Sequence, residues 1–141
     1  MTENKATIII PGSPIAKKRP RFFRRGGHVG VFNSQETEEG KTMWHIKSQF
    51  NSIMIPSAIP VEIECRFEMP IPKSMPKRDQ KAIEAGFCGP AHVKKPDVDN
   101  LLKYLKDCCN EVVWHDDSQV VSVAASKVYA REPRTVFTVR W

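Results

Sequence analysis

Between Val61 and Met69 apolar and polar residues alternate without a break. Val61, Ile63, Cys65, Phe67 and Met69 fall on one side, and Glu62, Glu64, Arg66 and Glu68 on the other. A period of two is the mark of a β-strand with one dry face. Its glutamates can in principle feed a metal site, but an ordinary wet face accounts for them more simply. A second strand is predicted over residues 5–10, ended by Pro11-Gly12. Helical spacing takes over from about Ser34 to Ile53, where Met43, Ile46, Phe50 and Ile53 recur on one face beside Trp44, Lys47 and Ser48. That stripe reads as core. A short helix is predicted over 77–85, stopped by Gly86. A longer one is predicted from Val98 to Val112, with Leu101, Leu102, Leu105, Cys108 and Cys109 along a broad apolar stripe and Tyr104 at its edge. After a turn over 114–118, strands are expected at 120–128 and 135–141. Residues 17–27, rich in Lys, Arg and Phe, read as a basic loop or irregular hairpin. The order strand, helix, strand, short helix, helix, strand, strand implies an α/β fold: a small mixed sheet with packed helices. No repeat or linker interrupts it, so residues 1–141 are expected to form a single domain.

Composition narrows the function classes. With 40% hydrophobic and 27% charged residues, neither disorder nor a membrane protein is indicated. No apolar run approaches the roughly 20 residues of a membrane span. The N-terminal segment has too short an apolar stretch for a signal peptide, and a cytoplasmic location is expected. The four cysteines form no C-x-x-C pair, and the four histidines lack zinc-finger spacing, so free thiols are expected rather than structural zinc. A net charge of +6 points to an anionic partner without separating DNA from RNA or a membrane surface.

Against that basic background one stretch is acidic. Between residues 97 and 117 stand Asp97, Asp99, Asp107, Glu111, Asp116 and Asp117, opposed only by Lys103 and Lys106. Taken one at a time they have plain explanations. Asp97 and Asp99 lie where carboxylates cap a helix start, Asp99 and Lys103 share a helix face, and Asp116-Asp117 suit a turn. Together they suggest more. Metal-assisted phosphodiester cleavage needs an activated water held in line with the leaving oxygen, and relief of charge on the phosphate. Hard divalent cations take carboxylate and water oxygens, so Asp97, Asp99 and Asp117 are assigned as ligands of Mg²⁺, with Mn²⁺ as the alternative. Asp116 is placed beside them among the metal-site residues, orienting water or the outer groups around the metal. Lys103 is assigned to the scissile phosphate. It is not assigned as the general base.

These same residues carry a family resemblance. Lys95-Pro96-Asp97-Val98-Asp99-Asn100-Leu101-Leu102-Lys103, with Trp114-His115-Asp116-Asp117-Ser118-Gln119-Val120, closely resembles the RusA family of Holliday junction resolvases, common in bacteria and their prophages. Pro11-Gly12-Ser13-Pro14, Lys18-Arg19-Pro20-Arg21 and the strand ending in Met69-Pro70 stand in the expected order. The resemblance covers nearly the whole chain, with residues 26–55 the least diagnostic. It implies a RusA-like fold and a homodimeric endodeoxyribonuclease, dependent on Mg²⁺ or Mn²⁺, that nicks symmetric strands of a four-way junction. It places the essential aspartates on Asp97, Asp99 and Asp117 and the catalytic lysine on Lys103, with Asn100 holding the loop. In one respect the chain departs from compact members: the loop bearing Pro72, Lys73, Pro76, Lys77, Arg78 and Lys81 is longer and more basic.

Two basic blocks flank the acidic stretch in sequence: Lys17, Lys18, Arg19, Arg21, Arg24 and Arg25, then Lys73, Lys77, Arg78, Lys81, Lys94 and Lys95. They are assigned to DNA phosphates, which position a duplex without reading it. Phe22 and Phe23 can wedge against unstacked bases or pack as core. For the dimer interface the candidates are Trp44, Phe50 and the apolar 101–112 stripe. Three accounts compete with resolution of junctions: a nuclease for flaps, replication forks and other branched DNA; a non-catalytic nucleic-acid-binding protein; and an α/β protein with some other anionic partner.

Overall fold

Alternation along the sequence becomes a four-stranded sheet. The computed structural model describes residues 3–19, 21–32, 34–87 and 89–141, the side chains of residues 21, 23, 31 and 32 excepted. The elements run β1 (Lys5–Pro11), β2 (Arg21–Arg25), β3 (His28–Phe32), α1 (Glu36–Gln49), β4 (Val61–Pro70), α2 (Lys77–Glu84), α3 (Val98–Cys109), a 3-10 turn (Asp117–Gln119), β5 (Val120–Ala130) and β6 (Arg134–Arg140). The strand order is β1-β6-β4-β5. β4 and β5 are parallel, and β6 runs antiparallel to β1 and β4. The result is the mixed α/β fold expected.

The dry side of β4 is the centre of the core. Ile63, Cys65, Phe67 and Met69 cluster with Ile8 and Ile10 of β1, Phe137 and Val139 of β6, Ile46 of α1, and Leu101, Tyr104 and Leu105 of α3. On the opposite face the charged residues pair across strands. Arg134 Nε donates to Glu68 at 2.6 Å, and Arg140 Nη1 meets Glu64 at 3.4 Å. That is the wet face the alternation implied. Cys65 and Cys108 are buried free thiols, each pushed up to about 12 by burial, and Cys109 is raised as well by the same cause. Cys88 lies outside the described residues. No helix among the described residues is long and apolar enough to cross a membrane.

Three boundaries differ from the sequence pattern, each for a local reason. The helix expected over 34–53 spans only Glu36–Gln49; Phe50 turns extended, and Ile53 is 81% exposed rather than part of the stripe. The helix expected to reach Val112 ends at Cys109. There the Asn110 side chain accepts a hydrogen bond from Trp114 Nε1–H at 2.8 Å, and Glu111 takes the left-handed conformation (φ 64°). The basic segment is a regular two-stranded hairpin, β2–β3, turned by Gly26 and Gly27. Both glycines have positive φ (54° and 82°), the requirement of a tight two-residue hairpin. Phe22 is exposed on it; the Phe23 side chain lies outside the described residues. Two of the interface candidates are buried in the core, Phe50 and the 101–112 stripe, whereas Trp44 is 66% exposed.

Candidate active site

Asp97 is the N-cap residue of α3, in extended backbone, yet its side chain makes no capping hydrogen bond. The carboxylate is therefore not consumed by the helix start. Asp99, in the first turn, accepts a hydrogen bond from the Asn100 amide at 3.0 Å. Lys103 follows one turn later. All three side chains belong to exposed residues, and none forms an ion pair among the described residues. Burial of Leu101, Tyr104, Leu105 and Cys108 fixes the rotation of α3, and so leaves the 99–103 face to solvent.

The second pair of acids sits on a turn built around a buried glutamine. Asp116 accepts from the Ser118 amide at 3.1 Å, and hydrogen bonding by Ser118 holds its carboxyl below the usual range. Gln119 is almost fully buried. Its Oε1 accepts from the amides of His115 (2.8 Å) and Asp116 (3.2 Å), while Nε2 donates to the carbonyls of Pro56 (2.9 Å) and Ile59 (3.2 Å). One amide thus ties the Asp116-Asp117 turn to the loop before β4. Replacing it takes the partner from four part-buried backbone groups, a loss bounded for each by the roughly 1–3 kcal/mol of a fully buried orphan. Gln119→Ala is accordingly expected to lower the urea midpoint with an unchanged m-value, a loss readable by equilibrium denaturation.

The turn packs against α3, so the two acidic pairs belong to neighbouring elements. They are not closed into a cage. Among the described residues no three His, Cys, Asp or Glu side chains are grouped closely enough to hold a metal ion. The donor chemistry nonetheless fits a hard divalent cation, because Asp97, Asp99 and Asp117 offer carboxylate oxygens free of basic partners among the described residues. A cavity of about 290 Å³ under the 10–15 segment is lined by Tyr104, Thr42 and His45 and by none of these acids.

Most of the predicted phosphate contacts are exposed: Lys18, Arg19, Arg24, Arg25, Lys73, Lys77, Arg78, Lys81, Lys94 and Lys95. The Arg21 side chain lies outside the described residues. Lys17 has a different environment. Its ammonium meets Asp107 at 3.1 Å and Glu39 at 3.2 Å, and its amide donates to the Asn100 carbonyl at 3.0 Å. Burial opposes that charge, but the bonds to Asp107 and Glu39 outweigh it and raise the pKa above the ordinary lysine value. Lys17 therefore braces α3 against α1. Nearby, the buried Gln35 side chain accepts from the Lys18 amide at 2.8 Å and donates to the Ala16 carbonyl at 2.7 Å. Lys127 Nζ donates to the carbonyls of Lys94 (2.8 Å) and Pro96 (2.9 Å) just before Asp97, and no local pattern in the sequence marks Gln35, Gln119 or Lys127 for such long-range bonds. Isolated Gln and Lys residues carry no spacing signal.

Comparison with known proteins adds the last line. A Bacillus subtilis (strain 168) protein, YqaN, itself described as uncharacterized, is 35% identical over 134 residues, covering 93% of this chain and 92% of its own length. The family profile described as "Endodeoxyribonuclease RusA" matches residues 11–140. That span takes in both acidic pairs, Lys103 and strands β4, β5 and β6 of the main sheet, and on this ground the chain belongs to the RusA endodeoxyribonuclease family.

Proposed function

We propose that the protein is a metal-dependent, structure-selective endodeoxyribonuclease that resolves four-way DNA junctions by paired symmetric nicks. The observation carrying this reading is the pairing of a RusA-family chain with an uncommitted Asp97 at the head of α3, beside Asp99 and Lys103. Asp97, Asp99 and Asp117 would hold Mg²⁺ or Mn²⁺, and Asp116 would orient Asp117 through its bond to Ser118. Bound there, the ion supplies an activated water and offsets charge on the phosphate. Lys103, on the helix face of Asp99, contacts the scissile phosphate and stabilises the negative charge that develops on it. Asn100 supports the same turn through its backbone N–H, which donates a hydrogen bond to Asp99 Oδ1.

The exposed Arg and Lys side chains of the β2–β3 hairpin, of α2 and of the 94–95 loop hold flanking phosphates. Lys17 is left out of that set because two carboxylates already neutralise it. Phe22, 77% exposed on the hairpin, is available to stack at an unpaired junction centre. A homodimer suits the substrate: a four-way junction is close to twofold symmetric, and a twofold dimer brings one active site to each of two equivalent strands.

Two measurements test this reading. Junction cleavage is expected in Mg²⁺ or Mn²⁺ and is expected to stop with EDTA; cleavage that persists in EDTA would contradict it. Junction binding is expected to weaken steeply with salt, and Arg24→Ala or Lys77→Ala should each reduce the log–log salt slope by about 1. Unchanged slopes in both variants would remove hairpin and α2 from the DNA surface.

A further inference from the structure

Asp97 is preceded by a loop that contributes no regular structure, yet a catalytic ligand has to be held still. The contacts of that loop are specific. Lys127, on β5, donates through Nζ to the carbonyl of Lys94 at 2.8 Å and to that of Pro96 at 2.9 Å. Two residues further along the same strand, the Tyr129 ring packs on His92 with centroids 4.7 Å apart. His92 and Lys127 thus fasten one loop to one strand at two points. Burial first, and then the Lys127 charge, lower the His92 pKa.

Ordinary surface economy does not explain Lys127. Its register partner on the central strand is Phe67, so it stands on the helix-covered side of the sheet, where it is only partly exposed. Among the described residues it makes no ion pair; the two groups it donates to are neutral carbonyls. An ammonium that donates to two carbonyls on either side of Lys95 fixes the direction in which the chain enters α3. Asp97 follows the second of those carbonyls directly.

We propose that Lys127 is a positioning residue for the nuclease site: its ammonium clamps the 94–96 backbone and thereby sets where the Asp97 carboxylate stands. The inference rests on the reading of Asp97 as a metal ligand and adds to it a residue remote in sequence. Groups that orient a ligand rather than touch the metal typically contribute 10- to 100-fold in metal affinity or activity. Misplacement of about 1 Å can cost a similar factor in rate.

The test uses Lys127→Met, which keeps the length and apolar stem without the donors, and Lys127→Arg, which restores a cation with several donors. Mn²⁺ affinity is measured by calorimetry on the DNA-free protein, junction affinity in EDTA, and kcat and KM for junction cleavage. Thermal melting confirms that each variant is folded. Expected for Lys127→Met are Mn²⁺ binding weaker by roughly 10-fold or more and kcat lower by about 10- to 100-fold. KM and EDTA junction binding should stay near wild type, with partial recovery in Lys127→Arg. Unchanged Mn²⁺ affinity would overturn the clamp. So would weakened junction binding with a salt slope reduced by about 1, which marks a phosphate contact instead. A folded wild type that cleaves no junction, yet loses Mn²⁺ affinity on Lys127→Met, would overturn the nuclease reading and leave the clamp standing.

Discussion

Asp99→Asn is expected to abolish junction cleavage, lowering the rate by an amount on the order of 10³-fold, while junction binding is retained or tightened. The two halves of that result have separate causes. Asparagine keeps the shape of the side chain but supplies no carboxylate charge for a cation, so the chemical step fails. It also removes a negative charge from a surface that must approach a polyanion, which favours binding. The position is exposed, and among the described residues its carboxylate accepts a hydrogen bond only from the neighbouring amide, so little folding stability is at stake. Single-turnover cleavage and an electrophoretic binding assay on the same preparation read both halves. A variant that still cuts at the wild-type rate would show Asp99 to be a helix-start charge and nothing more.

Trp114→Ala is expected to carry the largest cost in stability, roughly 3–5 kcal/mol, the range for removing a large buried aromatic. Trp114 is 0% exposed and belongs to the main core. Its Nε1–H donates to Asn110 Oδ1 at 2.8 Å, and its carbonyl accepts the Glu111 amide at 2.8 Å. Next to it, Val113 accepts the Ile55 amide at 2.8 Å. Truncation therefore opens a cavity and also frees an amide acceptor. Against a total of about 5–15 kcal/mol for a domain, that is a large share, and the melting temperature should fall by roughly 10 °C or more. Trp114 also stands directly before the turn bearing Asp116 and Asp117. Cleavage at low temperature, where the variant is still folded, should fall as well. Scanning calorimetry checks the first effect, and a shift of only 1–2 °C would contradict the packing assigned to this residue.

Much of this architecture was legible in residue order because it follows from periods of two and of 3.6. The alternation at 61–69 located the central strand, and the stripe expected over 98–112 located the helix, Val98–Cys109, that presents Asp97, Asp99 and Lys103. The RusA resemblance then assigned Asp117, on a turn that packs against that helix, to the proposed site. The features that residue order does not show depend on single long-range contacts. Helix α3 stops at Cys109 because of an Asn110–Trp114 side-chain bond, and no Gly or Pro marks that stop. Lys17 looked like one more phosphate contact until α1 and α3 brought Glu39 and Asp107 to it. Gln119 and Lys127 build the site through backbone carbonyls more than 30 residues away in sequence, a contact that leaves no trace in local pattern.

Cleavage of a fixed four-way DNA junction labelled in turn on each strand, beside a flap and a linear duplex of matched length and salt, tests the central claim most directly. In Mg²⁺ the account predicts paired nicks at symmetric positions on two opposing strands, confined to the junction. Equal cutting of flap and junction, or tight binding with no cutting in either Mg²⁺ or Mn²⁺, would contradict it.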